Sequence, residues 1–274
     1  YHAYNHYECD ESFYIHRPSD ELSVAENILR MLRPNKEYTD VEAKVLDLAL
    51  VLHMEHGGGN NSTFTTRVVT SSGSDTYSTM AAAMSSLKGP KHGGANIKVI
   101  NMFHHLKEAI KDWGNVTELD TYLKRMLNKE AYDKTGLIYG IGHAVYTLSD
   151  PRAVELKRLA GELAKEKGRE DEYNFLKLIE QEGIKCLQEH RGGSKPACAN
   201  LDFYSGFIYE MIGLPQEIYT PIFAMARIVG WTAHRIEELN FEGRRIIRPA
   251  YKNILGELEY KPLNERSEEH TSEL

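Results

Sequence analysis

Residues 88–96 read KGPKHGGAN and place His92 among glycines, at the end of an apolar helical run. Pro90 cannot continue a helix, and Gly93 and Gly94 allow the backbone to approach a ligand closely. This combination predicts a turn that presents the His92 ring to a cleft. An ordinary turn can have the same composition, so the stretch alone does not identify a site.

Two further segments carry groups that can transfer protons. Residues 140–146, GIGHAVY, place His143 on a second glycine-containing loop. Residues 200–206, NLDFYSG, place the carboxylate of Asp202 between apolar and aromatic neighbours. Two histidines and one acid on separate turns indicate proton-transfer chemistry.

Apolar residues recur at helical spacing along most of the chain, and no segment predicts a convincing strand. The chain is therefore expected to be all-α. Capping residues are expected within 18–21 for the first long helix and at Thr39 or Asp40 for the second, with Asp75 capping a later one. His104 and His105 are expected to face solvent. Further helices are predicted over about 95–110, 119–127, 151–168, 170–190 and 218–239.

Composition limits the classes of protein to consider. With 274 residues, of which 41% are hydrophobic and 27% charged, the chain can form one or two globular domains. The net charge of -7 argues against a nucleic-acid surface, and no apolar run is long enough to predict a membrane span. Three widely spaced cysteines, Cys9, Cys186 and Cys198, fit neither a disulfide framework nor a zinc site. We expect a reducing compartment, the cytoplasm, and no metal.

Arginines at three positions are candidates for binding an anion. Arg152 follows Pro151 in the first turn of a predicted helix, where the helix dipole does not favour a cation. An anionic ligand would explain it, although a solvated surface arginine remains an equal alternative. Arg227 lies in an apolar helical segment and therefore needs a partner. Arg248 belongs to a basic stretch that could equally be a solvated turn.

Residues 56–63, HGGGNNST, follow the end of a predicted helix. A histidine at a helix C-terminus is often only a favourable cap for the dipole. The glycines after His56, followed by Asn60, provide a backbone that can fold around a small ligand. His56 is therefore a candidate ligand-binding residue, whereas His53 and Glu55 receive no role.

Taken in order, KGPKHGGAN, GIGHAVY with DPR shortly after it, and NLDFYSG resemble the three catalytic blocks of citrate synthases. HGGGNNST resembles the oxaloacetate-binding segment of that family. The resemblance runs from about the first residue to Tyr251 or slightly beyond. It implies catalytic roles for His92, His143 and Asp202. The substrate-binding residues that it implies are His56, Asn60, Arg152, Arg227 and Arg248.

The resemblance also implies an architecture and partners. A large domain would comprise residues 1–95 and 215–265, with a smaller helical domain, 96–214, inserted into it. The substrates would be oxaloacetate and acetyl-CoA, with no further cofactor, and the expected assembly is a homodimer. Gly140, Gly142 and Lys195 are the candidates for contact with CoA.

Three expectations concern activity and the ends of the chain. The same residue set would serve a 2-methylcitrate synthase, which uses propionyl-CoA. The chain opens at Tyr1 within a segment that family members carry internally, so we expect a missing N-terminal part and, as an alternative, an inactive helical fragment. Residues 266–274 resemble the translation of a sequencing adapter, with a disordered polar tail as the alternative.

Overall fold

The fold is given by a computed structural model that describes residues 1–142, 146, 148–193, 196–243, 245–250, 252 and 260–265. Within these residues the chain is helical, which confirms the all-α prediction; the only β feature there is an isolated antiparallel bridge between Ile141 and Ala199. The α-helices are α1 (His2–Glu8), α2 (Val24–Leu32), α3 (Asp40–His53), α4 (Asn61–Ser71), α5 (Thr76–Leu87), α6 (Ala95–Ala109), α7 (Val116–Leu127), α8 (Pro151–Glu166), α9 (Glu170–His190), α10 (Asp202–Met211) and α11 (Tyr219–Asn240). Short 3₁₀ helices cover Gln216–Ile218 and Leu263–Glu265. The predicted tail, 266–274, lies outside the described residues.

Side-chain caps determine where several of the helices begin. Thr39 caps α3 and Asp75 caps α5, as predicted, each accepting a backbone N–H of the first turn. The predicted start of α2 within residues 18–21 was wrong. Ser23 caps that helix instead, because Ser23 and Glu26 form a reciprocal capping box that satisfies two otherwise unpaired N–H groups.

The helices form two groups that meet along α3. In one group, α4, α5 and α11 pack against each other, and α11 also contacts α3. In the other group, α6 and α8 both pack on α10, while α7 and α8 pack on α9. Helix α3 contacts α8 and α10, and so joins the groups. The ends of α3, α5, α8 and α10 and the middle of α11 therefore approach one region.

Burial of large side chains holds this arrangement together. The main core contains Phe103, Phe175, Phe203 and Phe207, each almost fully buried. Burying one such side chain stabilises the fold by roughly 1.5–3 kcal/mol. A smaller cluster of α5 residues packs on Trp231 of α11 and fixes α11 against α5.

The prediction that His104 and His105 face solvent is correct only in part, because both side chains also have protein partners. His104 contacts the carboxylate of Glu210 on α10, and His105 Nε2 lies 2.6 Å from the hydroxyl of Tyr122 on α7. Both rings are half-buried, because α6 packs on α10 and His105 reaches the Tyr122 hydroxyl. None of the helices in the described part of the chain has an apolar run long enough to cross a membrane.

Candidate active site

A cavity of about 170 Å³ lies where the two groups of helices meet. Six of the residues predicted from the sequence line it, and they come from segments that are far apart along the chain. These six are His56, Asn60, His92, Arg152, Asp202 and Arg227. Asn200, Leu201 and Phe223 complete the lining. The cavity therefore combines two imidazoles, two guanidinium groups and a carboxylate.

His92 lies on the turn between α5 and α6, and its ring is fixed by the start of α4. The backbone N–H of Ser62 donates to His92 Nε2 over 3.3 Å, and the Ser62 hydroxyl lies 3.0 Å from the same atom. Because a backbone amide can only donate, Nε2 is an acceptor and the proton of the neutral ring is on Nδ1. Burial, and then the charge of Arg227, lowers the pKa of His92. His92 is therefore a neutral hydrogen-bond donor at pH 7.

Gly93 makes the His92 turn possible. A β-carbon at this position would lie 2.3 Å from the carbonyl oxygen of Leu87 and 3.1 Å from the methyl group of Thr220. The Thr220 hydroxyl donates to the Gly93 carbonyl over 3.0 Å. The turn is therefore pressed between the end of α5 and the start of α11, where only glycine fits.

Asp202 is the first residue of α10, and its side chain points into the cavity from a desolvated position. Burial raises the pKa of Asp202 from 3.8 to about 6, although Arg152 and Arg227 oppose the rise. Within the described ranges, no hydrogen bond or ion pair to its carboxylate is found. Asp202 is therefore a poorly solvated carboxylate that is ionised at pH 7 and unusually ready to accept a proton.

The segment before Asp202 is held by the glycine loop. The N–H of Asn200 donates to the Gly140 carbonyl, and the N–H of Gly142 donates to the Cys198 carbonyl, each over 2.8 Å. The Asn200 side chain donates to the Gly142 carbonyl over 3.1 Å and accepts the N–H of Asp202 over 3.0 Å. Gly140 and Gly142 thus position Asp202, and their contact with CoA stays a prediction.

Arg227, in the middle of α11, is almost fully buried. Its Nε donates to the carbonyl oxygen of His53 over 2.6 Å, and one terminal nitrogen lies 3.4 Å from the Asn60 side-chain oxygen. The guanidinium carbon lies 4.7 Å from the centre of the Phe223 ring. Burial lowers the pKa of Arg227 to about 10, so the group remains charged. No carboxylate within the described residues forms a salt bridge with it.

Arg152 enters the cavity from the first turn of α8. Asp150, the N-cap of that helix, binds its guanidinium with a shortest distance of 2.9 Å. This local partner explains how a cation is accommodated at a helix N-terminus. Arg152 also donates to His56 Nδ1 over 3.2 Å. Because a guanidinium can only donate, the neutral His56 ring carries its proton on Nε2.

The charges around the cavity favour an anionic ligand. Asp150 forms a salt bridge with Arg152, whereas the charge of Arg227 is balanced only at longer range within the described residues, by Glu55 and then by Asp202. Guanidinium groups on two walls match the planar geometry of carboxylates. In the described part of the chain, no group of three or more His, Cys, Asp or Glu side chains could hold a metal ion. The arrangement suits a small carboxylate compound and a proton transfer beside it.

Some predicted site residues do not line the cavity or lie outside the described part of the chain. Arg248 is exposed and does not line the cavity within one chain, so its contact with substrate stays a prediction. His143 and Lys195 lie outside the described residues. Sequence reasoning missed Asp150, Asn200 and Phe223. Asp150 could have been found from the Asp-Pro-Arg sequence, because a helix N-cap two residues before an arginine can reach it.

Comparisons with known proteins give a consistent result. The family described as "Citrate synthase, C-terminal domain" matches residues 1–250. A citrate synthase from Synechocystis sp. is 38% identical over 253 residues, 91% of this chain and 58% of that protein. A "2-methylcitrate synthase 2" from Corynebacterium glutamicum is 36% identical, over 85% of this chain and 56% of that protein.

Among solved structures, the ternary complex of carboxymethyl coenzyme A and oxaloacetate with citrate synthase from Thermoplasma acidophilum matches with a TM-score of 0.74 at 33% identity. The match covers 96% of this chain and 64% of that one. The chain spans between half and two thirds of the length of these relatives.

Proposed function

This chain belongs to the citrate synthase family, and from that premise we propose that it condenses acetyl-CoA with oxaloacetate to give citrate and CoA. The single observation that carries the proposal is the convergence of His92, Asp202 and Arg227 on one small cavity. The reaction needs a base for the methyl group, a donor for the thioester oxygen, and cations for a dicarboxylate. Each of these needs has a matching group in the cavity.

Asp202 is the proposed base. It removes a proton from the methyl carbon of acetyl-CoA, and the electron pair moves onto the thioester oxygen to give an enol-like species. The desolvation that raises the pKa of Asp202 to about 6 brings its basicity closer to what this weakly acidic proton requires. His92 donates from Nδ1 to the thioester oxygen and stabilises the developing charge.

Oxaloacetate is proposed to bind on the other walls of the cavity. Arg227 and Arg152 would each bind a carboxylate through a planar fork, and His56 would donate from Nε2. Asn60 fixes the orientation of the loop beside Arg227. Because Arg227 is already held by the His53 carbonyl, little side-chain entropy would be lost when the ligand binds.

The later steps draw on the family resemblance. His143 would polarise the ketone of oxaloacetate, so that the enol-like carbon attacks it and citryl-CoA forms. Water would then cleave the thioester and release CoA. For the CoA part of the substrate we propose contacts with Gly140, Gly142 and Lys195. No cofactor besides the acetyl-CoA substrate is needed for these steps.

We propose the assembly and domain division of the family as well. Residues 1–95 and 215–265 would form the large domain, and 96–214 would form the inserted small domain. This division is supported by the cavity itself, because His92 and Arg227 belong to the first unit and Arg152 and Asp202 to the second. Closure of the two units would exclude water from the chemistry.

A homodimer is proposed from the exposed apolar side chains on three adjacent helices. Phe64 on α4, Met84 on α5 and Met225, Ile228 and Val229 on α11 are exposed. A face of this kind is typical of an interface between copies. In such a dimer the exposed Arg248 would complete the partner's cavity.

The buried thiols of Cys186 and Cys198, which form no disulfide, support a reducing compartment such as the cytoplasm.

Release of CoA from acetyl-CoA and oxaloacetate tests the proposal. The unchanged protein should release CoA, and Asp202→Asn should lower kcat at least a hundredfold, a typical contribution of a general base. Oxaloacetate binding, measured by calorimetry, should persist in the variant. Asp171→Asn is the matched control, since Asp171 is an exposed carboxylate in the first turn of α9.

Near-normal turnover in Asp202→Asn would exclude Asp202 as the base. If the unchanged protein neither binds oxaloacetate nor releases CoA, the proposed activity itself is wrong. Binding without turnover would support the inactive-fragment alternative.

A second candidate activity is that of a 2-methylcitrate synthase. The 36% identity to a protein of that name supports this second activity as an alternative. The two substrates differ by one methyl group, which an apolar pocket distinguishes by only about 1–3 kcal/mol. A comparison of kcat/KM for acetyl-CoA and propionyl-CoA decides between them, and a clear preference for propionyl-CoA would replace the first proposal.

A further inference from the structure

The loop that connects α3 to α4 carries two residues of the cavity, His56 and Asn60, and contains three consecutive glycines at 57–59. Glycine has the largest backbone freedom of any residue, so a loop of this composition does not hold one conformation by itself. Its geometry must therefore be fixed by contacts from outside the glycine run.

Glu55 makes the first of these contacts. One of its carboxylate oxygens, Oε1, accepts the N–H of His56 over 2.9 Å and also accepts the N–H of Gly57. Burial alone would raise the pKa of Glu55, but its hydrogen bonds to His234 and to Gly57 lower it below the ordinary value. The carboxylate is thus ionised and fixes the backbone at the residue that lines the cavity.

His234 on α11 makes the second contact. Its Nε2 lies 3.1 Å from the same oxygen, Oε1 of Glu55. The ring also lies against the loop beside Arg67, because a β-carbon on Gly58 would lie 3.3 Å from His234 Cε1 and 3.2 Å from an Arg67 terminal nitrogen. One atom of Glu55 therefore joins the loop backbone to α11.

The backbone of α11 lies directly against the loop one turn before His234. A β-carbon on Gly230 would lie 2.2 Å from the Met54 carbonyl oxygen and 2.8 Å from Glu55 Oε2. No side chain fits between helix and loop at this point, so the backbone of α11 packs directly on the loop. Arg227 lies on the same face of α11, one turn before Gly230. Arg227 and His234 therefore flank the contact between α11 and the loop on its two sides.

We propose that Glu55 and His234 are positioning residues that hold the 55–60 loop in the conformation that binds oxaloacetate. This inference rests on the proposed function. Neither residue lines the cavity, and their contact with it runs through the backbone of His56 and Gly57. Fixing the loop before binding removes an ordering cost that the ligand would otherwise have to overcome.

A role in stability alone is a poor explanation for this arrangement. The Glu55 side chain is 48% exposed, and exposed ion pairs contribute little to the free energy of folding. The expected signature is therefore specific: His234→Ala and Glu55→Ala should raise the KM and Kd for oxaloacetate about tenfold, the effect of losing one charge-assisted hydrogen bond. The KM for acetyl-CoA and the urea midpoint should change little.

Two further variants sharpen the test. His234→Gln keeps a side-chain N–H donor that can reach Glu55, and should restore most of the oxaloacetate affinity. Glu237→Ala is the matched control: its carboxylate lies 3.9 Å from the other ring nitrogen of His234, Nδ1, and its side chain is largely exposed. This control should leave the KM for oxaloacetate unchanged.

Hydrogen exchange makes the test independent of catalysis. In His234→Ala, the amides of His56 and Gly57 should exchange faster than in the unchanged protein, whereas amides in α9 should not. Equal exchange in the two proteins would overturn the positioning role, whether or not the protein is active. An equal rise in the KM for both substrates would also overturn it.

A different result is expected if the proposed function is wrong. The unchanged protein would then bind no oxaloacetate, although the amides of His56 and Gly57 would still respond to His234→Ala. That result would limit the role of Glu55 and His234 to ordering the loop, and would overturn the part of the inference that concerns oxaloacetate.

Discussion

Replacing Asp202 with asparagine should make the protein more stable while it removes the proposed base. The pKa of Asp202 is raised from 3.8 to about 6 because burial disfavours its ionised form. A tenfold change in proton affinity corresponds to about 1.4 kcal/mol. Ionised Asp202 therefore costs the folded state about 3 kcal/mol at about pH 8.

The sign of the pH dependence follows from the direction of the pKa change. Because the folded pKa lies above the unfolded value, the stability associated with the protonated carboxyl is fully present below pH 3.8. It is lost as the pH rises through about 6. Roughly half of the difference should develop between pH 5 and 8. Asparagine does not titrate, so Asp202→Asn should lack this change.

Urea denaturation of both proteins at several pH values measures the effect. The difference in unfolding free energy should roughly double between pH 5 and pH 8, to about 3 kcal/mol, with Asp202→Asn the more stable protein. Asp171→Asn should show no such trend. A difference that is constant with pH, or that favours the unchanged protein at pH 8, would refute the reasoning that burial raises the pKa of Asp202.

Asp202, Gly93 and Arg248 each offer a further measurable effect. For CoA release, kcat/KM should fall tenfold for each pH unit below about 6, because Asp202 must be ionised to act as base; a rate that is constant down to pH 5 would contradict this. Gly93→Ala should lower the unfolding free energy by about 1–3 kcal/mol, because its β-carbon would lie 2.3 Å from the Leu87 carbonyl oxygen. Gly59→Ala, which meets nothing within 4 Å, is the control in the same urea measurement. Mixing inactive Arg248→Ala and inactive Asp202→Asn chains should restore activity if Arg248 completes the partner's cavity, and no recovery in mixed dimers would show that it does not.

Much of the fold was predictable because helix signals are local. The bounds of α9, Glu170–His190, agree with the range predicted from apolar spacing and the glycines after it. The start of α2 could not be predicted, because several residues before it could act as a cap. The choice of Ser23 depends on its reciprocal hydrogen bonds with Glu26, and the same sequence offers competing caps nearby.

The site was predictable one residue at a time, but its connections were not. Motifs identified His92, Asp202 and Arg227 as candidates, and the structure brings them to one cavity. Sequence could not show that Arg227 donates to the carbonyl of His53, because that contact depends on the packing of α11 against α3. For the same reason, Glu55 received no role before the position of α11 was known.

The hydrogen bond from Arg227 to the His53 carbonyl joins residues that are 174 positions apart, and this distance bears on the order of events during synthesis. During synthesis, His56, His92 and Asp202 are added to the chain before α11 is complete. Domains fold from the N-terminal side as they emerge, yet this cavity lacks one wall until α11 docks. The proposed recognition of a dicarboxylate would thus arise only after α11 has docked. A ligand that binds the finished cavity would slow the reopening of α11 without affecting how fast the earlier helices form.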